Sequence, residues 1–395
     1  MIQIVKVRKG REKSLKLGHP WIFSGSLEMA GIEESPWAEL QDYRGNFLAW
    51  CMINPASKIT GRVWSFDHSD CPDMEFFRRK IESALNFRIK SNFPIDNIHG
   101  VRLINSEGDG LPGVIADDYA GVVVVQFLTA GAAAYRKIIA SLLFEMVPGA
   151  VCVYEKSDSA VLAKENIQHS EGILHGTLPE KCIIEENGAQ FEIDFLNGHK
   201  SGFYLDQRRN RDILSRYVAG KTVLNCFSYT GGFGVKAILG GAQHVINVDS
   251  SLPALVQSAA NMKLNGIDGS KFEDIEGDVF SILRKFRAEK KMFDFIILDP
   301  PKLVQGRGDL LRASKAYKDM ALVALHILKP GGMLANFSCS GLMPGDLFRK
   351  ITFDAALDAG RNLRIIELLE QDTDHAWSLN VPESFYLKGH LMMAD

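Results

Sequence analysis

The sequence contains no uninterrupted apolar stretch of about 18 residues, and no charged-then-apolar segment stands at its N-terminus. Neither a membrane span nor a signal peptide is therefore predicted, and the expected location is the cytoplasm. Hydrophobic residues make up 46% of the chain and charged residues 24%, which is typical of a soluble globular protein. With 395 residues, the chain is long enough for two or three domains that each bury a core.

Cysteine is scarce, with six residues, and none of them forms a C-x-x-C pair or a Cys/His cluster with zinc spacing. We therefore predict reduced thiols and no metal site, with at most one or two of the cysteines carrying a function. Low-complexity segments and internal repeats are also absent.

Net charge is small, at −3, which excludes a polycation built for non-specific binding to nucleic acid. The charge is uneven, however, because residues 6–16 carry six basic residues and one acidic residue. A run of this kind can also be a merely solvated surface. The basic residues are Lys6, Arg8, Lys9, Arg11, Lys13 and Lys16.

Three patterns follow one another along the chain and predict domains at residues 1–70, 71–188 and 189–395. The first alternates short apolar runs with turns, which is typical of a small β domain. The second mixes helical spacing with β-branched runs, which predicts an α+β domain. Its expected elements are a helix over 73–89, a strand over 122–128 and a helix over 135–146.

The third segment repeats strand, glycine turn and helix, which predicts a mainly parallel, doubly wound sheet covered on both faces. The predicted strands cover 221–226, 244–249, 293–299 and 333–338, and the predicted helices cover 233–239, 253–264 and 317–328. The Lys-Pro-Gly-Gly run at 329–332 is interpreted as the stop of the last helix.

Two of these strands end on residues able to do chemistry. One leads into Asp299-Pro-Pro-Lys302, and the other leads into Cys339. Because strand ends in an open parallel sheet share one edge, we expect Asp299, Lys302 and Cys339 to meet around a substrate. The alternative for Cys339 is inert packing, which is common for buried free cysteine.

A polar glycine turn around Gly231 joins a strand to a helix, and Asp249 closes the next strand 18 residues later. That spacing suits a carboxylate accepting both hydroxyls of a ribose. The turn is not G-x-G-x-x-G, which weakens a dinucleotide reading and favours S-adenosylmethionine. Asp278 could accept from an adenine amino group, and Val279 or Phe280 could cover its face. The alternatives are a structural turn, a helix cap at Asp249 and a solvated turn acid at Asp278.

Several segments resemble the ribosomal RNA large subunit methyltransferase I family, which are class I S-adenosylmethionine-dependent cytosine-5 enzymes. The catalytic part of the resemblance is carried by residues 201–208, 225–233, 299–302 and 337–343, and its PUA part by residues 9–15 and 19–25. The resemblance implies an α/β fold with an N-terminal PUA-like β barrel that binds RNA, a small α+β domain, and a Rossmann-like methyltransferase domain with a seven-stranded sheet. It also implies large-subunit ribosomal RNA as partner and a possible homodimer.

Carried over residue by residue, the resemblance implies a site for S-adenosylmethionine. Phe203, Asp206, Gln207 and Arg208 would form a hairpin lid, while Asn225, Phe227, Tyr229, Thr230 and Gly231 would surround the methionine portion. Asp249 and the adjacent Ser250 would bind the ribose. Asp278 and Val279 would bind the adenine, and Asp299 would lie on the same side of the cofactor.

The implied mechanism uses Cys339 as a nucleophile. A thiolate that adds to carbon 6 of cytosine makes carbon 5 electron-rich enough to take a methyl group. Lys302 is a candidate cation to favour the thiolate, and Asp299 could bond the cytosine edge. Cys226 lies inside the cofactor turn and is interpreted as structural. Many RNA cytosine-5 enzymes carry a second cysteine where this chain has Lys302, so the base that completes release is not identified.

In a PUA-like barrel the six basic residues of the N-terminal run would contact phosphates. Trp21, Phe23 and Trp64 could stack on unpaired bases, although core packing is expected for at least two of them. Two rival functions stay open at this point. One is methylation of an exocyclic amine of adenine or guanine through Asp-Pro-Pro-Lys, and the other is a non-catalytic RNA-binding protein that keeps a donor pocket.

Overall fold

A computed structural model describes residues 2–96, 98–198, 200–304 and 306–395 of the chain. The chain passes several times between two compact units. The first unit comprises Met1–Ile184, Ile193–Phe203 and Thr373–Ser384, and the second comprises Glu185–Glu192, Tyr204–Asp372 and Phe385–Asp395.

The short apolar runs of the N-terminus form a five-stranded sheet, whose central strands are buried along most of their length. The strand order is β1-β3-β4-β5-β2, with β1 parallel to β3 and the other pairs antiparallel. Buried apolar side chains such as Val5, Leu40 and Val63 form its core. The elements are β1 Gln3–Lys6, α1 Lys13–Lys16, β2 Trp21–Ile22, β3 Ser35–Gln41, β4 Phe47–Ile53 and β5 Gly61–Ser65.

The basic run and the aromatic residues of this sheet have different surroundings. All six basic side chains between Lys6 and Lys16 are exposed. Phe23 is 52% exposed, whereas Trp21 is half-buried and its indole donates to Glu107 Oε1 at 2.9 Å. Trp64 is only 2% exposed and its ring belongs to the core, so it is one of the aromatic residues for which core packing, and not stacking on a base, is expected.

The second sheet of the first unit packs against two long helices. Asp73 caps α2 by accepting a hydrogen bond from the Phe76 amide at 2.8 Å. The strand order is β10-β9-β8-β7-β6, and every residue of the β-branched strand β8 is buried. The elements are α2 Met74–Lys90, β6 Gly100–Asn105, β7 Val114–Tyr119, β8 Val122–Phe127, α3 Ala130–Ala134, α4 Arg136–Met146, β9 Cys152–Lys156, α5 Ser159–Lys164 and β10 Glu171–Gly176.

A segment from near the C-terminus completes the first unit. The Asp374 carboxylate accepts a hydrogen bond from the Arg102 amide at 3.0 Å, and the Asp374 carbonyl accepts one from Arg88 at 2.7 Å. Arg88 is fully buried and also pairs with Asp109. Because a buried guanidinium needs acceptors on several sides, residue 374 supplies part of the core of a unit built mostly from the N-terminal half.

The second unit contains the predicted doubly wound sheet, with seven strands in the order β15-β14-β13-β16-β17-β19-β18. The first five of these are parallel, and β19 is antiparallel to both of its neighbours. Its elements are α6 Arg208–Ser215, β13 Thr222–Cys226, α7 Gly232–Leu239, β14 His244–Asp249, α8 Leu252–Leu264, β15 Phe272–Glu276, α9 Val279–Ala288, β16 Phe293–Leu298, α10 Leu310–His326, β17 Leu328–Ser338, α11 Gly345–Asp358, β18 Leu363–Glu370 and β19 Lys388–Ala394. A two-stranded sheet of β11 Ile183–Glu186 and β12 Ala189–Glu192 precedes it along the chain.

Two predicted boundaries in this unit, one of a helix and one of a strand, are wrong. Helix α10 begins at Leu310 rather than at residue 317, and β17 begins at Leu328 rather than at residue 333. The helix ends before the Lys-Pro-Gly-Gly run because Phe293 donates to the Ile327 carbonyl and draws the chain into the sheet. The run itself then forms the irregular start of β17, where the register shifts after Phe293.

One close contact between neighbouring strands of the sheet allows a prediction about stability. Gly389 lies opposite Phe337, and a Cβ added to it would stand 2.4 Å from the ring and 3.0 Å from the Asn336 carbonyl oxygen. We expect Gly389→Ala to lower the free energy of unfolding by about 1–3 kcal/mol, since neither the ring nor the strand can move away easily. Urea denaturation measures this.

The matched control is Gly345→Ala at the start of α11, where an added Cβ meets no atom within 4 Å. This variant should be as stable as the parent or slightly more stable. Equal stability of the two variants would contradict the packing argument.

Candidate active site

The turn between β13 and α7 contains three residues with positive φ. They are Phe227 at +61°, Tyr229 at +48° and Gly231 at +80°. A non-glycine residue in this region costs about 1–2 kcal/mol because its Cβ crowds the backbone. Such conformations persist where the surroundings impose them, and they concentrate at ligand sites. Here the Tyr229 amide donates to Asp249 Oδ2 at 2.8 Å, so the end of β14 fixes the turn.

Asp249 links that turn to the start of α8. Its second oxygen, Oδ1, accepts a hydrogen bond from the Ser251 amide at 2.9 Å. The cap of α8 is Ser251, whose hydroxyl accepts from the Ala254 amide, and not Asp249. Asp249 is therefore a half-buried carboxylate held at the carboxyl edge of the sheet, with the exposed Ser250 beside it.

A row of polar side chains, buried at Asn225 and Asn247 and half-buried at Asp274, crosses three strands beneath the turn. Asn225, Asn247 and Asp274 lie opposite one another on β13, β14 and β15. Asn225 Nδ2 donates to Asn247 Oδ1 at 2.9 Å, and Asn247 Nδ2 donates to Asp274 Oδ1 at 2.8 Å. Burial raises the pKa of Asp274, against the two hydrogen bonds that it accepts. The row fixes the orientation of the Asn225 amide.

Two atoms of this region fit the methionine portion of S-adenosylmethionine. Asn225 Oδ1 and Ser228 Oγ are buried, and no hydrogen-bond partner for either lies within the described part of the chain. Buried polar atoms are nearly always paired, so a ligand bearing an ammonium and a carboxylate would complete both. The chemistry of the turn therefore suits the expected cofactor.

Gly231 and Thr230 complete the turn. A Cβ on Gly231 would stand 2.4 Å from Ser258 Oγ, and its φ is positive, so glycine is required at this position on two grounds. The Thr230 side chain is buried, and its carbonyl accepts from Asn261 Nδ2 at 3.0 Å.

Asp278 and Val279 follow β15 at the same edge of the sheet, where the Gly277 amide donates to the Asp249 carbonyl at 2.9 Å. Asp278 is exposed, and one of its oxygens caps α9 by accepting from the Ser281 amide and hydroxyl. Val279 is buried in the core. Asp278 thus has a structural role as a helix cap whatever else it binds.

Gln207 connects the segment before α6 to the Asp-Pro-Pro-Lys loop. Its Nε2 donates to Asp299 Oδ2 at 3.0 Å, and its Oε1 accepts from Asn210 Nδ2 at 2.6 Å. Both amides are buried, so the Asp299 carboxylate is held in one orientation at the end of β16.

The residues on either side of Gln207 contact residues near the C-terminus. Asp206 Oδ2 accepts from the Tyr386 hydroxyl at 2.7 Å, and Arg208 pairs with Asp372 at 3.3 Å. Phe203 belongs to the first unit, where its backbone amide and carbonyl both lie 3.3 Å from the Tyr119 hydroxyl.

The two strand ends that carry the expected chemistry lie together. Cys339 is half-buried, and its Sγ donates to the Pro300 carbonyl at 3.7 Å. The Val304 amide donates to Ser340 Oγ at 3.2 Å, which ties the loop after β16 to the loop after β17. The thiol therefore stands directly beside the Asp-Pro-Pro-Lys segment.

Tyr204 lies close to several charged groups of this region. Burial raises the pKa of its hydroxyl, and the charges of Asp206, Asp299 and Cys339 act in the same direction. Its ring lies 5.3 Å from that of Tyr229 in an edge-to-face arrangement. Tyr204 thus lies between the turn after β13 and the ends of β16 and β17, a position that the sequence did not suggest.

The structure adds a lysine that sequence reasoning missed. Lys388 Nζ donates to the carbonyls of Ser340 and Tyr386, each at 2.9 Å. The Lys302 side chain, which was the candidate cation, is exposed. Lys388 could be found only from the antiparallel pairing of β19 with β17, which no local pattern of residues indicates.

Within residues 2–96, 98–198, 200–304 and 306–395, no three His, Cys, Asp or Glu side chains are grouped so as to hold a metal ion. In the same part of the chain, no helix combines the length and apolar character needed to cross a bilayer.

Comparison with protein families gives two matches. Residues 113–376 match the family described as S-adenosylmethionine-dependent methyltransferase, and residues 5–66 match a PUA-like domain. The first match includes the turn after β13 and both strand ends described above.

Curated relatives match almost the whole chain. A protein of Aeromonas salmonicida named ribosomal RNA large subunit methyltransferase I is 46% identical over 394 residues, which is 98% of each chain. A protein of the same name from Aliivibrio fischeri is 45% identical over 388 residues, again 98% of each chain.

Solved structures match over the full length as well. One is a protein assigned as a methyltransferase and crystallised with SAH, with a TM-score of 0.87 at 25% identity over 100% of both chains. Another, assigned as a SAM-dependent methyltransferase from Streptococcus mutans, has a TM-score of 0.86 at 26% identity over 100% of both chains.

The geometry of the turn predicts the effect of Gly231→Ala on cofactor affinity. The new Cβ would be strained by the positive φ and would collide with Ser258, so the backbone of the turn must shift. We expect the dissociation constant for S-adenosylmethionine to rise about tenfold or more, which corresponds to about 1.4 kcal/mol. Isothermal titration calorimetry measures it.

Gly269→Ala is the control, because an added Cβ there meets no atom within 4 Å and its φ is not positive. It should bind the cofactor as the parent does. An unchanged affinity of Gly231→Ala would show that the turn is not part of the cofactor site.

Proposed function

This chain belongs to the ribosomal RNA large subunit methyltransferase I family of S-adenosylmethionine-dependent enzymes, and we propose that it methylates carbon 5 of a cytosine in large-subunit ribosomal RNA. The observation that carries the carbon 5 assignment is the position of Cys339. Its half-buried thiol follows β17 and lies against the Asp-Pro-Pro-Lys segment, at the edge where the cofactor turn also opens.

The chemistry requires a nucleophile because carbon 5 of cytosine is itself a poor one. The Cys339 thiolate forms a bond to carbon 6, and the electron pair displaced from the ring gives carbon 5 the density to bond a methyl group. S-Adenosylmethionine supplies that methyl group. Loss of the carbon 5 proton to a base then restores the ring double bond and breaks the bond to sulfur, which returns the thiolate.

Asp299 has the role of holding the cytosine. Gln207 fixes the Asp299 carboxyl at the end of β16, so that this group can bond the polar edge of a base whose carbon 6 faces Cys339. A base held in one orientation presents carbon 6 to sulfur and carbon 5 to the methyl donor.

The cofactor residues follow from the same edge of the sheet. We propose that Asn225, Phe227, Tyr229, Thr230 and Gly231 hold the methionine portion. We further propose that Asp249 with Ser250 binds the ribose, that Asp278 with Val279 lies beside the adenine, and that Phe203, Asp206, Gln207 and Arg208 border the donor. The unpaired Asn225 Oδ1 and Ser228 Oγ support the placement of the methionine portion.

The RNA contacts belong to the N-terminal sheet. The six exposed basic side chains between Lys6 and Lys16 are suited to phosphates, which position an RNA without reading its sequence. We also propose the domain division 1–70, 71–188 and 189–395 and action in the cytoplasm, as the sequence patterns predict, and a homodimer, which the family resemblance implies.

Replacement of the nucleophile is the direct test. We expect Cys339→Ala to abolish methylation of unmodified large-subunit RNA, because it removes the sulfur that bonds carbon 6. The variant should also fail to form the denaturant-resistant adduct that the parent forms with RNA containing 5-fluorocytosine. Gel electrophoresis detects the adduct, and mass spectrometry of RNA digests locates the methyl group.

Cys226→Ala and Cys71→Ala are the matched controls, one for a buried thiol and one for an exposed thiol. Burial raises the pKa of Cys226, which keeps it a thiol, so both controls should keep adduct formation. Full activity of Cys339→Ala, or a methyl group found on an exocyclic amine, would refute the thiolate mechanism and favour amine methylation.

The basic run predicts a salt-dependent effect on RNA binding. Exchanging Lys9, Arg11 and Lys13 for glutamine should weaken binding to large-subunit RNA. It should also reduce the slope of log K against log salt by about 2–3, because each lost phosphate contact contributes about 0.7–0.9. Fluorescence anisotropy over a salt series measures both.

Lys271, Lys285 and Lys290 are also exposed, and their exchange for glutamine makes the same change in net charge elsewhere. This control should leave the slope closer to that of the parent. An equal loss in the two triple variants would show that the N-terminal run has no special role.

A further inference from the structure

Lys388 is attached to the loop that carries the thiol. It is the first residue of β19 and lies opposite Ser338, the last residue of β17. Its amine donates to the carbonyl of Ser340, and Cys339 is the residue between these two serines. A second bond to the Tyr386 carbonyl fixes the amine from its own strand.

The surroundings of this amine are those of a cation. Lys388 is half-buried, and both of its partners are carbonyl oxygens, which accept hydrogen bonds and so compensate an ammonium for lost water. Burial lowers the pKa of Lys388 to about 8, while the negative charge of Cys339 acts to raise it. Such an interaction is mutual, because a thiolate that stabilises an ammonium is stabilised by it to the same extent.

Three other ionisable groups near Cys339, namely Tyr204, Tyr317 and Asp299, do not favour a thiolate. Tyr204, before α6, and Tyr317, on α10, both interact with Cys339 and with Asp299. Burial raises the pKa of both hydroxyls, so they are neutral at pH 7. Asp299, at the end of β16, is a carboxylate whose charge opposes a second negative charge nearby.

We propose that Lys388 is a positioning residue for the methyl transfer, which holds the Cys339 loop and stabilises the thiolate form of Cys339 with its ammonium group. This inference rests on the proposed role of Cys339 as nucleophile. The thiol proton is released to solvent, and Lys388 keeps its own proton.

The same charge acts at the end of the reaction. When the carbon 6 bond breaks, sulfur leaves as a thiolate, and a stabilised thiolate leaves faster. Lys388 therefore assists release in a chain that has Lys302 where many RNA cytosine-5 enzymes have a second cysteine.

Alkylation of Cys339 by iodoacetamide tests the proposal without RNA or cofactor. We expect Lys388→Met to move the midpoint of the rate against pH upward by about one pH unit. At pH 7 the rate at Cys339 should then fall about tenfold, since only the thiolate reacts. Lys388→Arg should restore most of the rate because it keeps a positive charge. Peptide mass spectrometry assigns the modified residue.

Lys221→Met is the matched control. Lys221 is a half-buried lysine whose pKa burial also lowers, but it precedes β13 at the opposite edge of the sheet. Its exchange should leave the Cys339 profile unchanged. A folded Lys388→Met protein with the parent profile, or a Lys388→Arg protein as slow as Lys388→Met, would overturn the proposal.

Reciprocity gives a second measurement in case Lys388→Met does not fold. In Cys339→Ala, the pKa of Lys388 should fall below its value in the parent, because the thiolate no longer supports the ammonium. Nuclear magnetic resonance of protein labelled with 13C-lysine follows this titration, with Lys388→Arg identifying the resonance. An identical pKa in the two proteins would also overturn the proposal.

These outcomes separate the inference from the proposed function. If Cys339→Ala keeps activity while Lys388→Met shifts the alkylation profile, the carbon 5 mechanism fails and the charge interaction stands. If Cys339→Ala is inactive and the profile does not move, only the role of Lys388 fails. With both correct, Lys388→Met lowers kcat at pH 7 with little change in KM, and higher pH recovers part of the loss.

Discussion

Parallel pairing of β13 to β17 is the constraint on which the second unit depends. The pairing of Asn225 with Asn247 and of Leu298 with Asn336 fixes where each strand ends, so the turn, Asp249, Asp299 and Cys339 all emerge at one edge. A shift of one residue in any pair would turn its side chains to the opposite face. The register therefore sets the site as much as the identity of the residues does.

The charges at that edge form a consistent pattern. In the proposed site, carboxylates at Asp206, Asp249 and Asp299 would suit a donor with a positive sulfonium, but they would disfavour a thiolate in the same place. In the proposed mechanism, Lys388 supplies the opposite charge next to Cys339, the residue that would ionise. Beneath the edge, hydrogen bonds join Asn225 to Asn247 and Asn247 to Asp274, and they fix the orientation of the Asn225 amide.

Sequence reasoning predicted the features that follow from local patterns. The helices over 73–89 and 135–146, the strand over 244–249 and the polar turn before α7 need only periodicity, glycine and flanking caps. Sequence reasoning missed the features that depend on pairing between strands far apart in the chain. Strand β18 is an edge strand that exposes Ile365 and Leu368, so it lacks a clear apolar alternation, and β19 returns antiparallel beside β17. Lys388 could not be placed beside Cys339 without that return.

The interleaved path of the chain has a consequence for its synthesis. Arg88 and Arg102 leave the ribosome early, yet Asp374, which accepts from both, is made only when nearly all of the 395 residues have been joined. A buried guanidinium without all its acceptors is costly, so the first unit stays incomplete throughout most of translation. The nascent chain therefore cannot finish one unit and then begin the next, and a chain cut short before residue 374 would leave the core around Arg88 unsatisfied.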